Sequence, residues 1–459
     1  MIFGGFLEHF HQQVYGGVFE PGSPLADAQG FRTDVITALQ ELQVPVIRWP
    51  GGIFVDDYFW ESGVGGSRQG YLDGAWGVWE PNTFGTHEFI DLCERLGAVP
   101  YIANNGKGPI EDMENWVAYT NATTGTYASL RQTNGETDPF PVPIWSVGNE
   151  NYSGDFAMKV RDAAIAMKAV DPNIQVTAPA LIGSIGTLLG TAGDHLDLIS
   201  IHDYSFANFQ TFHRPTYLQA IAESEDADGY IAAAVAQIDS AGYRGQVKIA
   251  FDEWNLRSWH HPGFPWGDPN NQAQIDARDL SLDPSLYTMA DALHAASFFN
   301  ACLRHADDMA MANIAPLVNQ SGPLYVHPGG LVKRTHFHTF AMYAQHLKSK
   351  VVDSQVTSPI LAGASVSIVD AIVTTDDNLS YMVALVNRDP ALPVTCRVDI
   401  PGLALDGVVN ATMLQGESPD SFNDIANPDR VVPEVVQLQF VNGMVTLPPH
   451  SLTVVHVGN

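Results

Sequence analysis

Two short stretches carry the residues best suited to chemistry. "IWSVGNENY", Ile144 to Tyr152, is an apolar run that ends on Gly148, Asn149 and Glu150, and "QVKIAFDEWN" at 246–255 ends on Asp252 and Glu253. Amides and carboxylates are costly to bury without partners, so an apolar strand that stops on them is expected to open into a polar pocket. Two carboxylates facing each other across such a pocket meet the requirements of glycoside hydrolysis. One protonates the leaving oxygen, while the other attacks the anomeric carbon or activates water. Asn149, beside Glu150, is then placed to bind a sugar hydroxyl next to the reacting carbon. A single Glu at a strand end is more often a cap or a solvated group; the pairing of "GNE" with "DEW" carries the reading.

Elements able to position such a pair recur along the chain. Apolar runs of strand length occur in IFGGFLEHF, VPVIRWP, VPYIANN, VPIWSVGNE, IQVTAPA, LDLISIHDY, QVKIAFDEWN and MANIAPLVN. Helical periodicity separates them, as in THEFIDLCERLGA, GDFAMKVRDAAIAMKAVD, DGYIAAAVAQIDSAG and PSLYTMADALHAASFFNACLRHADD. Near-continuous apolar strands alternating with helices indicate a parallel sheet covered on its outer face. Eight such units predict a (β/α)8 TIM barrel. After the helix RTHFHTFAMYAQHLKSK the pattern changes to short alternating segments (SVSIVDAIVTT, SYMVALVNRD, TCRVDIPG, VVQLQFVNG, MVTLPPHSLTVVHV) split by Gly, Pro, Asn and Asp. These predict a C-terminal antiparallel β-sandwich, with the barrel over 1–345 and the sandwich over 346–459.

In a barrel of this kind the active site gathers at the C-terminal ends of the strands. The polar residues there are Glu8, Arg48, Asn104, Asn149 with Glu150, His202 with Tyr204, and Asp252 with Glu253. Trp49, Trp60, Trp76, Trp79, Trp254 and Trp259 fall on or after the same strand ends, and indole faces stack on sugar C–H faces. Each is as often ordinary core; their concentration favours carbohydrate. His9 and His11 form an HxH, which in some barrels marks a two-metal hydrolase, but the Lys and His such a site needs at the fourth and fifth strand ends are here Glu150 and Ala180. The pairs His260/His261 and His336/His338 read as rim and packing residues. No metal or other cofactor is called for, and no Ser/His/Asp arrangement of the hydrolase type is present.

Composition narrows the partners. Lys and Arg total 22 against 51 Asp and Glu, a formal charge of −29, which disfavours nucleic acid and anionic membrane. The three cysteines, Cys93, Cys302 and Cys396, are dispersed and lie in no metal-binding spacing. With no signal-like N-terminus and no run of about 18 apolar residues, a cytoplasmic location is expected.

Read together, "FGGFLEHF…VYGGVFEPGSPL", "VIRWPGG", "WGVWEPNTFGTHEFIDLCERLGAVPYIANN", "WSVGNEN", "ISIHDY" and "FDEWN" resemble glycoside hydrolase family 51, chiefly α-L-arabinofuranosidases, from Phe3 to about Tyr343. The resemblance implies a retaining exo-glycosidase that needs no cofactor and releases terminal arabinofuranosyl residues from arabinoxylan- or arabinan-type oligosaccharides or polysaccharides. It makes Glu150 the acid/base and Glu253 the nucleophile, with Glu8, Asn149, His202, Tyr204 and Trp76 holding the furanose. Carboxyl groups about 5–5.5 Å apart and a mostly apolar mouth that keeps the acid protonated follow from that mechanism. A homo-oligomer is a further expectation by resemblance. Two positions depart from the family pattern: Ile53 stands where a small polar residue often follows "PGG", and Gln320 is offset from the family's Gln beyond the eighth strand. They leave open a neighbouring specificity (β-D-galactofuranosidase, β-xylosidase, endo-β-glucanase), with a non-catalytic carbohydrate-binding protein as the alternative of a different class.

Overall fold

The computed structural model describes residues 1–205, 215–256 and 280–458. The eight apolar runs form the strands β1 (Gly4–Phe6), β2 (Val46–Trp49), β3 (Val99–Asn104), β4 (Ile144–Val147), β5 (Gln175–Pro179), β6 (Leu198–Tyr204), β7 (Lys248–Asn255) and β8 (Met309–Ile314). They close into a parallel barrel in the order β1-β8-β7-β6-β5-β4-β3-β2. Alternation along each strand divides the side chains between two apolar environments. Val46, Tyr101, Ile144, Leu198, Ala250 and Met311 pack together within the lumen. Ile47, Trp49, Ile102, Trp145, Ile199, Phe251 and Ile314 join the large core shared with the surrounding helices. The expected helices are found at Thr86–Leu96, Phe156–Val170, Asp226–Ser240, Met289–Arg304 and Thr335–His346.

One strand departs from simple alternation. Against β6, Ser200 faces Ala250 but His202 faces Glu253, so β7 uses three steps where β6 uses two. Its other neighbour records the same extra residue, with Ala312 opposite Phe251 and Ile314 opposite Trp254. This is a β-bulge, which re-aims the side chains that follow it. Strict alternation from Ala250 would put Asp252 in the lumen and turn Glu253 outward. With the bulge both carboxylates face the lumen, and Trp254 returns to the helix side, stacked on Phe298 at 3.7 Å.

Beyond the barrel, β9 (Lys350–Val352), β10 (Val369–Thr375), β11 (Tyr381–Asn387), β12 (Val394–Arg397), β13 (Gly407–Gln415), β14 (Glu434–Phe440), β15 (Met444–Leu447) and β16 (Ser451–Val457) are all antiparallel. Six of them form a sheet in the order β9-β10-β11-β16-β13-β14, and β12 pairs with β15 in a second. The run at 444–457 is therefore two strands in different sheets, broken at Pro448–His450. Strand β13 has no clear apolar alternation because its first half is partly exposed on both faces.

Candidate active site

The site begins at the loop after β2. Gly51 has φ +151°, and a Cβ there would lie 2.3 Å from Glu8 Cγ, so only glycine lets this backbone close over the Glu8 side chain. The next turn supplies donors: the amides of Gly52 and Phe54 reach Glu8 Oε1 at 2.9 and 3.0 Å. Glu8 is fully buried, and burial pushes its carboxyl up to about 8 against the pull of Phe54 and of the Trp76 indole, with the charge of Glu253 adding to the rise. Glu8 is thus a neutral hydrogen-bond donor near pH 7. Gly52 brings the same loop to Glu253, since a Cβ there would sit 3.2 Å from its Oε1.

Arg48, pointing into the lumen from β2, organises the opposite wall. Its Nη1 donates to Glu253 Oε1 at 2.5 Å and its Nη2 to Asn149 Oδ1 at 2.7 Å, with Nε 3.4 Å from Asp252 Oδ2. Burial opposes its charge, but Asp252 and Glu253 hold it protonated beyond the ordinary arginine range. Tyr204 donates its hydroxyl to the other Glu253 oxygen at 2.7 Å, so both oxygens of that carboxylate are fixed. Asp252 accepts from Tyr101 and Ser200, each at 2.6 Å. Burial works against its ionisation, yet Arg48 and His202 hold it down at about 2.

Glu150 stands at the open side. It follows Asn149 with φ +49°, a left-handed conformation unusual for a glutamate. Its side chain is 46% exposed, and its Oε1 is 2.9 Å from His202 Nδ1. His202 is almost buried; burial would lower its pKa, but Glu253, Asp252 and Glu150 raise it to about 10. Carboxylate oxygens of Glu150 and Glu253 and a ring nitrogen of His202 lie within 4.8 Å of one another. Two carboxylates converging on one point at this spacing are the arrangement that paired carboxylate chemistry needs. Among the described residues, His202 is the side chain within hydrogen-bond distance of the Glu150 carboxylate.

Of the residues singled out from sequence, Glu8, Arg48, Trp76, Asn149, Glu150, His202, Tyr204 and Glu253 come together here. Asn104 does not. Its Nδ2 lies 3.8 Å from Met167 Sδ on the helix Phe156–Val170, because it is an odd number of steps from the lumenal Tyr101. Tyr101 and Ser200 escaped notice because each sits inside an apolar run, and period-two counting along β3 and β6 is the signal that finds them. Of the six tryptophans at the strand ends, most of those in the described residues take the core alternative. Trp49 stacks on Phe89 and Trp60 on Trp116 in the helix layer, Trp254 lies on Phe298, and Trp79 is exposed. Only Trp76 among the described residues of that set lies against Glu8, packed on Phe10 at 4.1 Å. Trp259, His260 and His261 lie outside the described residues. His9 of the HxH pairs with Glu80 at 2.6 Å and accepts from Trp49 Nε1 at 2.9 Å; Tyr15 also binds Glu80, so this cluster ties the 71–85 region to β1. His11 contacts Gln320, which is buried just beyond β8.

The chain resembles known proteins over most of its length. Residues 38–221 match the family description "Alpha-L-arabinofuranosidase 1 domain", and residues 252–451 match "Alpha-L-arabinofuranosidase C-terminal domain". The chain is 33% identical to an intracellular exo-α-(1→5)-L-arabinofuranosidase of Streptomyces lividans, over 95% of this chain and 69% of that one. It is 30% identical to an exo-α-(1→6)-L-arabinofuranosidase of Bifidobacterium longum, over 99% and 94%. Among solved structures, the α-L-arabinofuranosidase of Thermotoga maritima in complex with arabinose superposes with a TM-score of 0.87 at 29% identity, covering 99% of this chain and 96% of that one. A family 51 α-L-arabinofuranosidase of Bifidobacterium longum gives 0.88 at 29%, covering 99% and 95%. A barrel with two carboxylates at its mouth, antiparallel sheets behind it and likeness to these enzymes over nearly its whole length place the chain in glycoside hydrolase family 51, among the α-L-arabinofuranosidases.

Proposed function

We propose that the protein is an exo-acting, retaining α-L-arabinofuranosidase that removes terminal arabinofuranosyl residues from arabinan- or arabinoxylan-type oligosaccharides inside the cell. The observation that carries this reading is the approach of the Glu150 and Glu253 carboxylates, within 4.8 Å oxygen to oxygen. That spacing suits direct attack by one carboxylate, whereas an inverting pair stands farther apart to admit water between them.

Glu253 is the nucleophile. Arg48 and Tyr204 hold its two oxygens, which fixes the direction of attack on the anomeric carbon. Glu150 is the acid/base: it gives its proton to the leaving oxygen as the bond to Glu253 forms, then takes one from the water that releases the sugar. Its exposed position gives access to that water. Asn149, oriented by Arg48, and neutral Glu8 present hydrogen bonds to ring hydroxyls. The intracellular location rests on the names of the Streptomyces and Halalkalibacterium relatives.

Initial rates on 4-nitrophenyl α-L-arabinofuranoside, β-D-galactofuranoside, β-D-xyloside and β-D-glucoside test the reading. The arabinofuranoside is expected to dominate, and Glu253→Ala to abolish turnover. Glu150→Ala is expected to keep glycosylation by a substrate with a good leaving group and to form, with added azide, an arabinosyl azide of retained configuration. Dominance of another sugar would overturn the specificity, and an azide of inverted configuration from Glu150→Ala would overturn the assignment of roles.

A further inference from the structure

We propose that Asp252 is a positioning residue that serves the two catalytic carboxylates separately: its Oδ2 sets Arg48 against Glu253, and its Oδ1 sets His202 against Glu150. The inference rests on the roles given above to Glu150 and Glu253. Asp252 is itself out of reach of a sugar, being completely buried with a hydroxyl on each oxygen.

The two oxygens have parallel surroundings. Oδ2 accepts from the Tyr101 hydroxyl at 2.6 Å and lies 3.4 Å from Arg48 Nε. Oδ1 accepts from the Ser200 hydroxyl at 2.6 Å and lies 3.4 Å from His202 Nε2. Each oxygen therefore has one short bond to a neutral hydroxyl and one longer approach to a basic side chain. Both longer approaches are wider than a charge-assisted hydrogen bond of about 2.7–2.9 Å, so the hydroxyls keep the carboxylate from closing on either base.

The remaining nitrogens of the two bases reach the catalytic groups. Arg48 gives Nη1 to Glu253 Oε1 and Nη2 to Asn149 Oδ1, and His202 presents Nδ1 to Glu150 Oε1 at 2.9 Å. Ser200 also fixes which nitrogen of His202 carries hydrogen. A serine hydroxyl has a single proton, here given to Asp252, so Ser200 Oγ can only accept from His202 Nε2 at 3.2 Å, and Nε2 is the N–H. Without the Tyr101 hydroxyl, Oδ2 is free to close on Arg48 Nε and draw the guanidinium away from Glu253. Without the Ser200 hydroxyl, Oδ1 closes on His202 Nε2 and swings Nδ1 away from Glu150. Attack by Glu253 is needed whatever the leaving group, whereas proton donation by Glu150 matters only for a poor one. The two oxygens of Asp252 thus bear on different requirements of the same reaction.

The test compares kcat/KM on an arabino-oligosaccharide, whose leaving group needs a proton, with that on 2,4-dinitrophenyl α-L-arabinofuranoside, whose leaving group does not. Tyr101→Phe and Ser200→Ala each remove one oxygen and keep the carbon framework, including the Tyr101 ring that lies 5.9 Å from the Arg48 guanidinium carbon, so the fold is expected to survive. Tyr101→Phe is expected to lose about fivefold or more on both substrates alike. Ser200→Ala is expected to lose about fivefold or more on the oligosaccharide and less than about twofold on the dinitrophenyl substrate. In Asp252→Asn, which lacks the charge that the hydroxyls restrain, adding either substitution is expected to change kcat/KM by less than about twofold further. The same pattern of loss in both variants, a reversed split, rates within about twofold of wild type in either variant, or additive losses on Asp252→Asn overturn the proposal. A general loosening of the barrel would slow both substrates in both variants and so counts against it. Glu150→Ala run in parallel separates the two readings. If it fails to spare the dinitrophenyl substrate, the acid/base assignment itself falls; if it spares it while the split between Tyr101→Phe and Ser200→Ala is absent, only the role of Asp252 falls.

Discussion

Glu8 accepts two backbone N–H groups and still holds its proton more tightly than an ordinary carboxyl, because removal from water outweighs those bonds and the Glu253 charge adds to it. The consequence for stability has a definite sign. With a folded-state value of about 8 against 4.5 unfolded, the contribution of Glu8 is fully present below about pH 4.5 and is lost as pH rises through about 8. Glu8→Gln keeps a donor but cannot titrate. Melting temperatures of the variant, followed from pH 5 to pH 9, are expected to fall less steeply than those of wild type, and its KM for nitrophenyl arabinofuranoside is expected to stay flat where the wild-type KM climbs above pH 8. Parallel curves for the two proteins would show that Glu8 does not ionise in that window. The residues of this site were legible to the extent that they end apolar runs: Glu8, Arg48, Asn149, Glu150, His202, Tyr204 and Glu253 all do. Asn104 met the same rule and was misplaced, since ending a strand does not say which face a side chain takes. Tyr101, which fixes Asp252, lies mid-strand among apolar neighbours and gave no polar signal.

Two elements convert the sequence into this geometry, and neither could be read from hydrophobic pattern alone. The bulge in β7 is what lets adjacent residues, Asp252 and Glu253, share the lumen, and period-two alternation argues against it. Its trace in the sequence is the helix-side Trp254 arriving one residue late. The "PGG" loop is legible as a turn, but its function is close approach of backbone to carboxylate. Gly51→Ala places a Cβ 2.3 Å from Glu8 Cγ at a φ of +151°, so either Glu8 or the loop must move. A loss of more than about 2 kcal/mol of stability is expected from the backbone conformation and the overlap together. Denaturant unfolding measures the first part, and a drop in kcat/KM for nitrophenyl arabinofuranoside, larger than that of Glu8→Gln, measures the displacement of Gly52 from Glu253. A variant as stable as wild type would mean that the loop relaxes without strain.

At the scale of the whole chain, the barrel and the antiparallel sheets are joined by buried charge as well as apolar contact. Arg388, just beyond β11, is completely buried; it donates to Glu225 and to Ser297 Oγ, and its Nη2 lies 3.1 Å from Asp370 Oδ2 on β10. The helix Met289–Arg304 supplies two more partners to Asp370, Asn300 and Arg304, each at 2.9 Å. Tyr217, from the barrel, donates to the Arg388 carbonyl at 3.0 Å. The change to short alternating strands after 345 was legible in the sequence, but this junction was not, because its members lie up to 171 positions apart and each reads alone as an ordinary polar residue. Removing Arg388 leaves Asp370 with Asn300 and Arg304 and leaves Glu225, 37% exposed, to solvent and the Ser367 amide, so the cost is expected to fall below the roughly 3–5 kcal/mol of breaking a fully buried pair. Arg388→Met fills similar volume and removes the cation that Glu225 and Asp370 share. Its calorimetric trace is expected to show a lower melting temperature and a separate, earlier transition for the C-terminal sheets, against a single transition expected of wild type. Because Arg388 meets the outer helix layer and none of the described residues at the barrel mouth, kcat/KM at 25 °C is expected to remain within about twofold of wild type. An unchanged melting temperature would mean that apolar packing alone holds the sheets to the barrel, and a lost activity at 25 °C would mean that they help to shape the site.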